Sequence, residues 1–192
     1  MEISETENLR SAQPQDFKQV APLMVQAMED LACAFANTDK VENAFPLFEY
    51  FFQKKANQYS FEHTIVYVEK EVIMGSITFY DGQLLPKYRK PFMDYIAQKY
   101  NVKNLVIEDE TVPNEVYIDT VSVSPKYQGK GIGKKLIAAA IDCARAEGHQ
   151  KIGLLEDFEN PNAKKLYLTL GFKGVGKKQL GEGIYEHLQL KL

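Results

Sequence analysis

Apolar residues recur at helical spacing from Asp16 onward, at Phe17, Val20, Met24, Met28, Leu31 and Phe35, and predict a long amphipathic helix. Pro22 falls inside it, so a kink or a late start is expected there. A short candidate strand, Leu9 to Ala12, precedes the helix and is ended by Pro14. A second helix is expected from about Asn43 with Phe45, Phe48, Tyr50, Phe51 and Phe52. These aromatics are too many for one buried stripe, which leaves two readings: core with scattered surface rings, or one wall of a ligand pocket. Thr64 to Glu69 and Val72 to Tyr80 read as a β-hairpin across Lys70-Glu71, and Ile65 to Val68 is apolar on both parities, as in a strand covered on both faces.

Farther along, Pro91 to Tyr100 reads as an extra helix within a segment near 83–114, followed by the acidic turn Glu108-Asp109-Glu110. Val116 to Val123 is an apolar run that feeds a glycine-lysine turn, and Leu136, Ile137, Ala140, Ile141 and Ala144 then form a helical stripe that Gly148 stops. Lys151 to Leu155 is the next strand. Asn160 is a candidate N-cap with Pro161 at the first helical position, and Ala163, Leu166, Tyr167 and Leu170 make that helix's buried face. Phe172 to Val175 and Ile184 to Leu190 pair as a closing hairpin. The expected product is one α+β domain over residues 1–192, a mixed sheet with helices on both faces.

Composition narrows the class. The 192 residues are 45% hydrophobic and 26% charged, with a net charge of −3, the profile of an ordinary soluble domain without the basic balance of a nucleic-acid binder. No apolar run approaches a membrane span, and Met1 to Arg10 is acidic and polar, unlike a signal or transit peptide. Two cysteines, Cys33 and Cys143, lie far apart without paired histidine spacing, so a zinc site or disulfide framework is not expected and a cytoplasmic location is.

The chemistry is concentrated in Gln128-Gly129-Lys130-Gly131-Ile132-Gly133-Lys134. Glycines at 129, 131 and 133 let backbone N–H groups converge on an anion, and the following helix aims its free first-turn amides at the same point. Lys126, Lys130, Lys134 and Lys135 surround the turn, and no Asp or Glu occurs between Asp119 and Asp142, so a local positive patch stands on an acidic chain. A small polyphosphate ligand is implied. The nucleotide P-loop pattern fails, because Gln128 and Lys135 stand where Gly and Ser/Thr are needed. The dinucleotide fingerprint fails too, with Leu136 or Lys134 in place of its third glycine.

Gln128, Gly131 and Gly133, flanked by a strand with Ser124-Pro125 and later by Asn160-Pro161-Asn162-Ala163, Tyr167 and Gly171-Phe172, resemble the Gln/Arg-x-x-Gly-x-Gly/Ala signature of the GNAT (GCN5-related N-acetyltransferase) superfamily. The resemblance runs from about Leu9 to Leu192. It implies a splayed mixed sheet flanked by helices and acetyl-coenzyme A as donor. The cofactor would lie against Val121, Ser122 and Val123, the turn residues Gln128, Gly129, Lys130, Gly131, Ile132, Gly133 and Lys134, and the side chain of Asn160.

By the same resemblance, Val121 or Val123 N–H holds the oxyanion and Tyr167 donates a proton to the departing thiolate. With free-solution values near 10 and 8.5, that transfer is uphill by only about 2 kcal/mol. Asp119 is the candidate base, with Glu115, Tyr117 and His187 in reserve. The implied activity is acetyl transfer to a primary amine by direct attack in a ternary complex. A non-catalytic acyl-coenzyme A sensor, another acyl group and a hydroxyl acceptor are the alternatives. The expected partner is a small-molecule or peptide amine, with a homodimer left open and no nucleic acid, membrane or metal. The acidic turn at 108–110 reads either as a solvated turn or as an attractor for a cationic amine.

Overall fold

A computed structural model of the chain describes residues 8–103, 105, 107–157, 160–180 and 183–192. Its elements follow in the order β1 (Leu9–Ser11), α1 (Phe17–Ala27), α2 (Glu29–Phe35), α3 (Phe45–Phe52), β2 (Thr64–Glu69), β3 (Val72–Asp81), α4 (Leu85–Lys99), β4 (Val116–Val123), α5 (Ile132–Ala146), β5 (Lys151–Asp157), α6 (Pro161–Thr169), β6 (Lys173–Leu180) and β7 (Gly183–Lys191). The strands form one sheet in the order β1-β2-β3-β4-β5-β7-β6. Every adjacent pair is antiparallel except β4 and β5, which run parallel. No helix among the described residues is long and apolar enough to cross a membrane.

Helices cover both faces, and the double parity of β2 is explained by this. Ile65 and Tyr67 point into the core under α5, while Val66 points into a second core under α1, α3 and α4. The α5 stripe is the one expected, with Leu136, Ile137 and Ala140 fully buried against Ile77, Ile118 and Ile152. At the β2–β3 turn, Lys70 and Glu71 both take positive φ, 49° and 67°, the geometry of a two-residue hairpin turn whose twist matches the strands.

Three expectations are refined. The first helix runs straight through Pro22, held by burial of Val20, Ala21, Leu23, Met24 and Val25, and the chain breaks instead at Met28 (φ −145°, ψ 45°). The helix over 91–100 begins earlier, at Leu85, and keeps Pro91 in its interior. Of the α3 aromatics, Phe48, Phe51 and Phe52 are core and Tyr50 is exposed, and none of them lines the cleft or the groove described below. Phe48 and Phe51 pack with Tyr59 on Phe92 of α4, ring centroids 4.8 to 6.1 Å apart, and Phe35 closes on the same ring at 5.0 Å. Helix α4 is thus a packing element, with Phe92 at the centre of the aromatic core.

Candidate active site

The site begins where β4 and β5 part. Their pairing covers only Val116↔Ile152 and Tyr117↔Gly153, and beyond that the strands diverge. On its other edge β4 stays paired with β3, and Ser124 N–H bonds Met74 C=O at 2.9 Å. Stepping back along the antiparallel ladder, hydrogen-bonded rungs alternate, so the main-chain groups of Val121 and Val123 face the gap. Val123 C=O there accepts bonds from the side-chain amides of Gln26 and Gln128, each 3.0 Å. The expected oxyanion donors and strand-like docking edge therefore stand on the open side.

A β-bulge in β4 sets the side chains. Thr78 pairs with Thr120 and Phe79 with Ile118, leaving Asp119 as the extra residue. Val116 and Ile118 face α5 before the bulge, and Val121 and Val123 face it afterwards. Asp119, alternating with Ile118, shares the side of Tyr117 and enters a cleft of about 600 Å³ away from α5.

Past β4, Gly129 and Gly131 both take left-handed φ, 76° and 78°, where an L side chain is strained, and Gly131 caps α5. Lys135 N–H makes the first helical bond, to Gly131 C=O at 3.1 Å. The amides of Gly131, Ile132, Gly133 and Lys134 find no acceptor among the described residues, which is the state a helix start presents to an anion. A groove of about 390 Å³ runs along this turn, lined by Val121, Ser122, Val123, Gln128, Gly129, Gly131, Ile132, Gly133, Lys134, Asn160 and Tyr167. Its backbone amides, its open glycines and the exposed lysines fit a pyrophosphate. Lys130 instead leans on the Tyr127 ring, 5.3 Å from its centroid.

Tyr167, on α6, lines both groove and cleft and so stands at their junction. It is 7% exposed, packs edge-on against Phe172 and has no hydrogen-bond partner among the described residues. Burial, and then the charge of Glu156, raises its pKa, so the phenol stays protonated. The same desolvation would act on a thiolate beside it, which keeps the gap between them from widening by the full shift. Asn160 is the helix cap: its Oδ1 accepts from Ala163 N–H at 3.1 Å while the residue lines both cavities.

Asp119 accepts a hydrogen bond of 2.5 Å from Tyr80 Oη. Desolvation first, and the charge of Glu110 second, raise its pKa to about 7, against the pull of the Tyr80 bond and of Arg89. Tyr117, below it, has its own pKa pushed well up by burial and then by Glu110. Glu110 itself is buried and ion-paired with Arg89 of α4, whose guanidinium also donates to Glu108 C=O at 3.2 Å. The acidic turn is thereby folded onto α4, with Glu110 on the cleft wall and Asp109 mostly exposed.

Two reserve bases lie away from the described cleft lining. Glu115 is fully buried between Gln189 and His187, Nε2 of the latter 3.0 Å from its Oε2, and neither Glu115 nor His187 lines the cleft. Residues that sequence reasoning missed include Gln26, in the last turn of α1, whose amide bonds Ser122 Oγ at 2.8 Å on the cleft wall. Glu156 was missed as well: it is 4% exposed, lines the cleft, and neither of its carboxylate oxygens has a hydrogen-bond partner among the described residues. Its place directly after the apolar run of β5 was the only available signal. Among the described residues no group of three His, Cys, Asp or Glu side chains is arranged to hold a metal.

Comparison with known proteins places these features. The profile of the family described as "Acetyltransferase (GNAT) family" matches residues 24–172. A solved structure titled "The crystal structure of acetyltransferase" is 31% identical with a TM-score of 0.79, covering 95% of this chain and 98% of that one. An uncharacterized N-acetyltransferase, YycN of Bacillus subtilis, is 30% identical over 125 residues, 56% of this chain and 79% of its own. A mycothiol acetyltransferase of Renibacterium salmoninarum is 45% identical over 58 residues, which are 30% of this chain and only 17% of that protein's length.

Proposed function

Since this chain belongs to the GNAT acetyltransferase family, we propose that it transfers the acetyl group of acetyl-coenzyme A to a primary amine by direct attack in a ternary complex. We assign this activity to one domain over residues 1–192. The observation that carries this reading is the meeting of an anion groove and an acidic cleft at the gap between β4 and β5, with Tyr167 lining both.

The residues divide the work by position. The free amides of residues 131–134 hold the pyrophosphate, aided by Lys130 and Lys134. The gap-facing edge of Val121 and Val123 aligns the pantetheine arm, and one of these amides stabilises the oxyanion as the amine nitrogen bonds to the acetyl carbon. Asp119 receives the amine proton, through water, at a pKa suited to neutral pH. As the C–S bond breaks, Tyr167 gives its proton to the thiolate sulfur and is reprotonated from solvent. Asn160 serves as a cap through Oδ1, so only its amide nitrogen is offered to the donor.

Thiol release from acetyl-coenzyme A is the test, measured over a panel of amines. Turnover with at least one supports the assignment. Tight coenzyme A binding without turnover of any amine or alcohol would favour a sensor.

A further inference from the structure

The charge of the cleft carries the reading one step further, to the class of acceptor, and the step rests on the N-acetyltransferase reading above. Glu29, Asp30, Glu110, Asp119, Glu156 and Asp157 line the cleft, and among the described residues no lysine, arginine or histidine does. Glu110 is neutralised by Arg89. Glu29 and Asp30, at the start of α2, are exposed on the rim.

Glu156 is the independent observation. An ionised carboxylate buried without hydrogen bonds costs several kcal/mol, so such groups ordinarily have a partner. Among the described residues no hydrogen bond reaches either oxygen of Glu156, and the Lys164 backbone N–H, which favours its charged form, still leaves its pKa raised by burial. The ammonium of Lys164, a neighbouring cation, is bound to Glu186. Counting on from Tyr117↔Gly153, Asp119 comes level with Leu155, and Glu156 stands one residue beyond that height on β5, across the widening gap.

We propose that the acceptor is an amine carrying at least two positive charges and no anionic group, such as an aliphatic polyamine or an aminoglycoside. One nitrogen surrenders its proton to Asp119 and attacks the acetyl carbon, while a second stays an ammonium ion and supplies the donor that Glu156 lacks. Glu29 and Asp30 draw the cation in from the rim. An amino acid brings a carboxylate for which the cleft has no cation, and a peptide α-amine brings one charge where the cleft answers two.

The test compares 1,4-diaminobutane and spermidine with butylamine, kanamycin and an uncharged N-terminal peptide, by thiol release from acetyl-coenzyme A at one pH and low salt. The expected result is a kcat/KM at least ~10-fold higher for the polycations than for butylamine, as one added charge-assisted contact provides. The ratio of spermidine to kanamycin identifies the source of the cation, and either order agrees with the proposal. Glu156→Gln should cut the diamine-to-butylamine preference several-fold. Glu29→Gln combined with Asp30→Asn, at exposed positions that spare the core, should lower it and its salt dependence.

Butylamine or the peptide turned over as well as the polycations overturns this inference and leaves the acetyltransferase reading standing. So does a preference that survives both variants while calorimetry finds coenzyme A binding intact. Absence of turnover with every amine overturns both.

Discussion

Tyr80 donates its hydroxyl proton to Asp119 across a 2.5 Å hydrogen bond, and Asp119 is the residue by which β4 outnumbers β3 at the bulge. The bulge and the bond together hold a carboxyl in a poorly solvated cleft beside Glu110, which is why its pKa reaches about 7.

That value places a pH limb. As a base Asp119 must be deprotonated, so kcat/KM should rise with pH and level off above about 7. Tyr80→Phe removes the bond that favours the charged form, so the limb should move to higher pH. A profile unchanged in both Asp119→Asn and Tyr80→Phe would assign the limb to another group.

Stability should run the other way. A carboxyl whose pKa rises from 3.8 to about 7 on folding stabilises the fold fully below pH 3.8, and that contribution is lost as pH rises through 7. Asp119→Asn keeps an acceptor for Tyr80 and no charge. It should lose activity yet melt a few degrees higher than wild type at pH 8, by on the order of 1 kcal/mol or more, with the difference vanishing toward pH 4.

Tyr167→Phe should retain coenzyme A affinity and melting temperature, because the ring contact with Phe172 survives. Its kcat should fall by ~10²–10⁴-fold, the usual loss for a general acid. Full activity in steady-state kinetics would make Tyr167 a packing residue.

Gly133 offers a clean test of the cradle. A Cβ there would meet Leu166 and Val123 methyls at 3.5 and 3.8 Å, ordinary contacts inside the groove. Gly133→Val should leave the fold intact and weaken coenzyme A binding by ~10-fold or more, through steric exclusion of a ligand of this affinity scale. Gly131→Val is a poorer probe, since its φ of 78° strains any side chain and mixes folding with binding.

Ionic strength tests the lysines. Coenzyme A affinity should fall between low salt and ~0.5 M, where screening of exposed charges becomes severe, and Lys130→Glu should lower it further. Calorimetry across a salt series reads both; an affinity flat in salt leaves the backbone amides as the whole anion site.

Most of the expected elements and the glycine turn before α5 were legible because their causes are local. Glycines at 129, 131 and 133 before an apolar stripe, alternation in β2 and β3, and Asn160-Pro161 at a helix start are each decided by a few adjacent residues. What the tertiary structure alone decided depends on partners far apart in sequence. The helix break came at Met28 and not at Pro22 because a buried face outweighed one missing hydrogen bond. The α3 aromatics became core because Phe92, some forty residues on, supplies the ring they surround. Arg89 drew the acidic turn onto α4, and the bulge at Asp119 exchanged the two faces of β4. A one-residue slip reverses every side chain beyond it, and local pattern carries no trace of where the opposing strand will skip. Glu156 looked like the charged end of a strand until the divergence of β4 and β5 left it buried, its carboxylate without a hydrogen bond among the described residues.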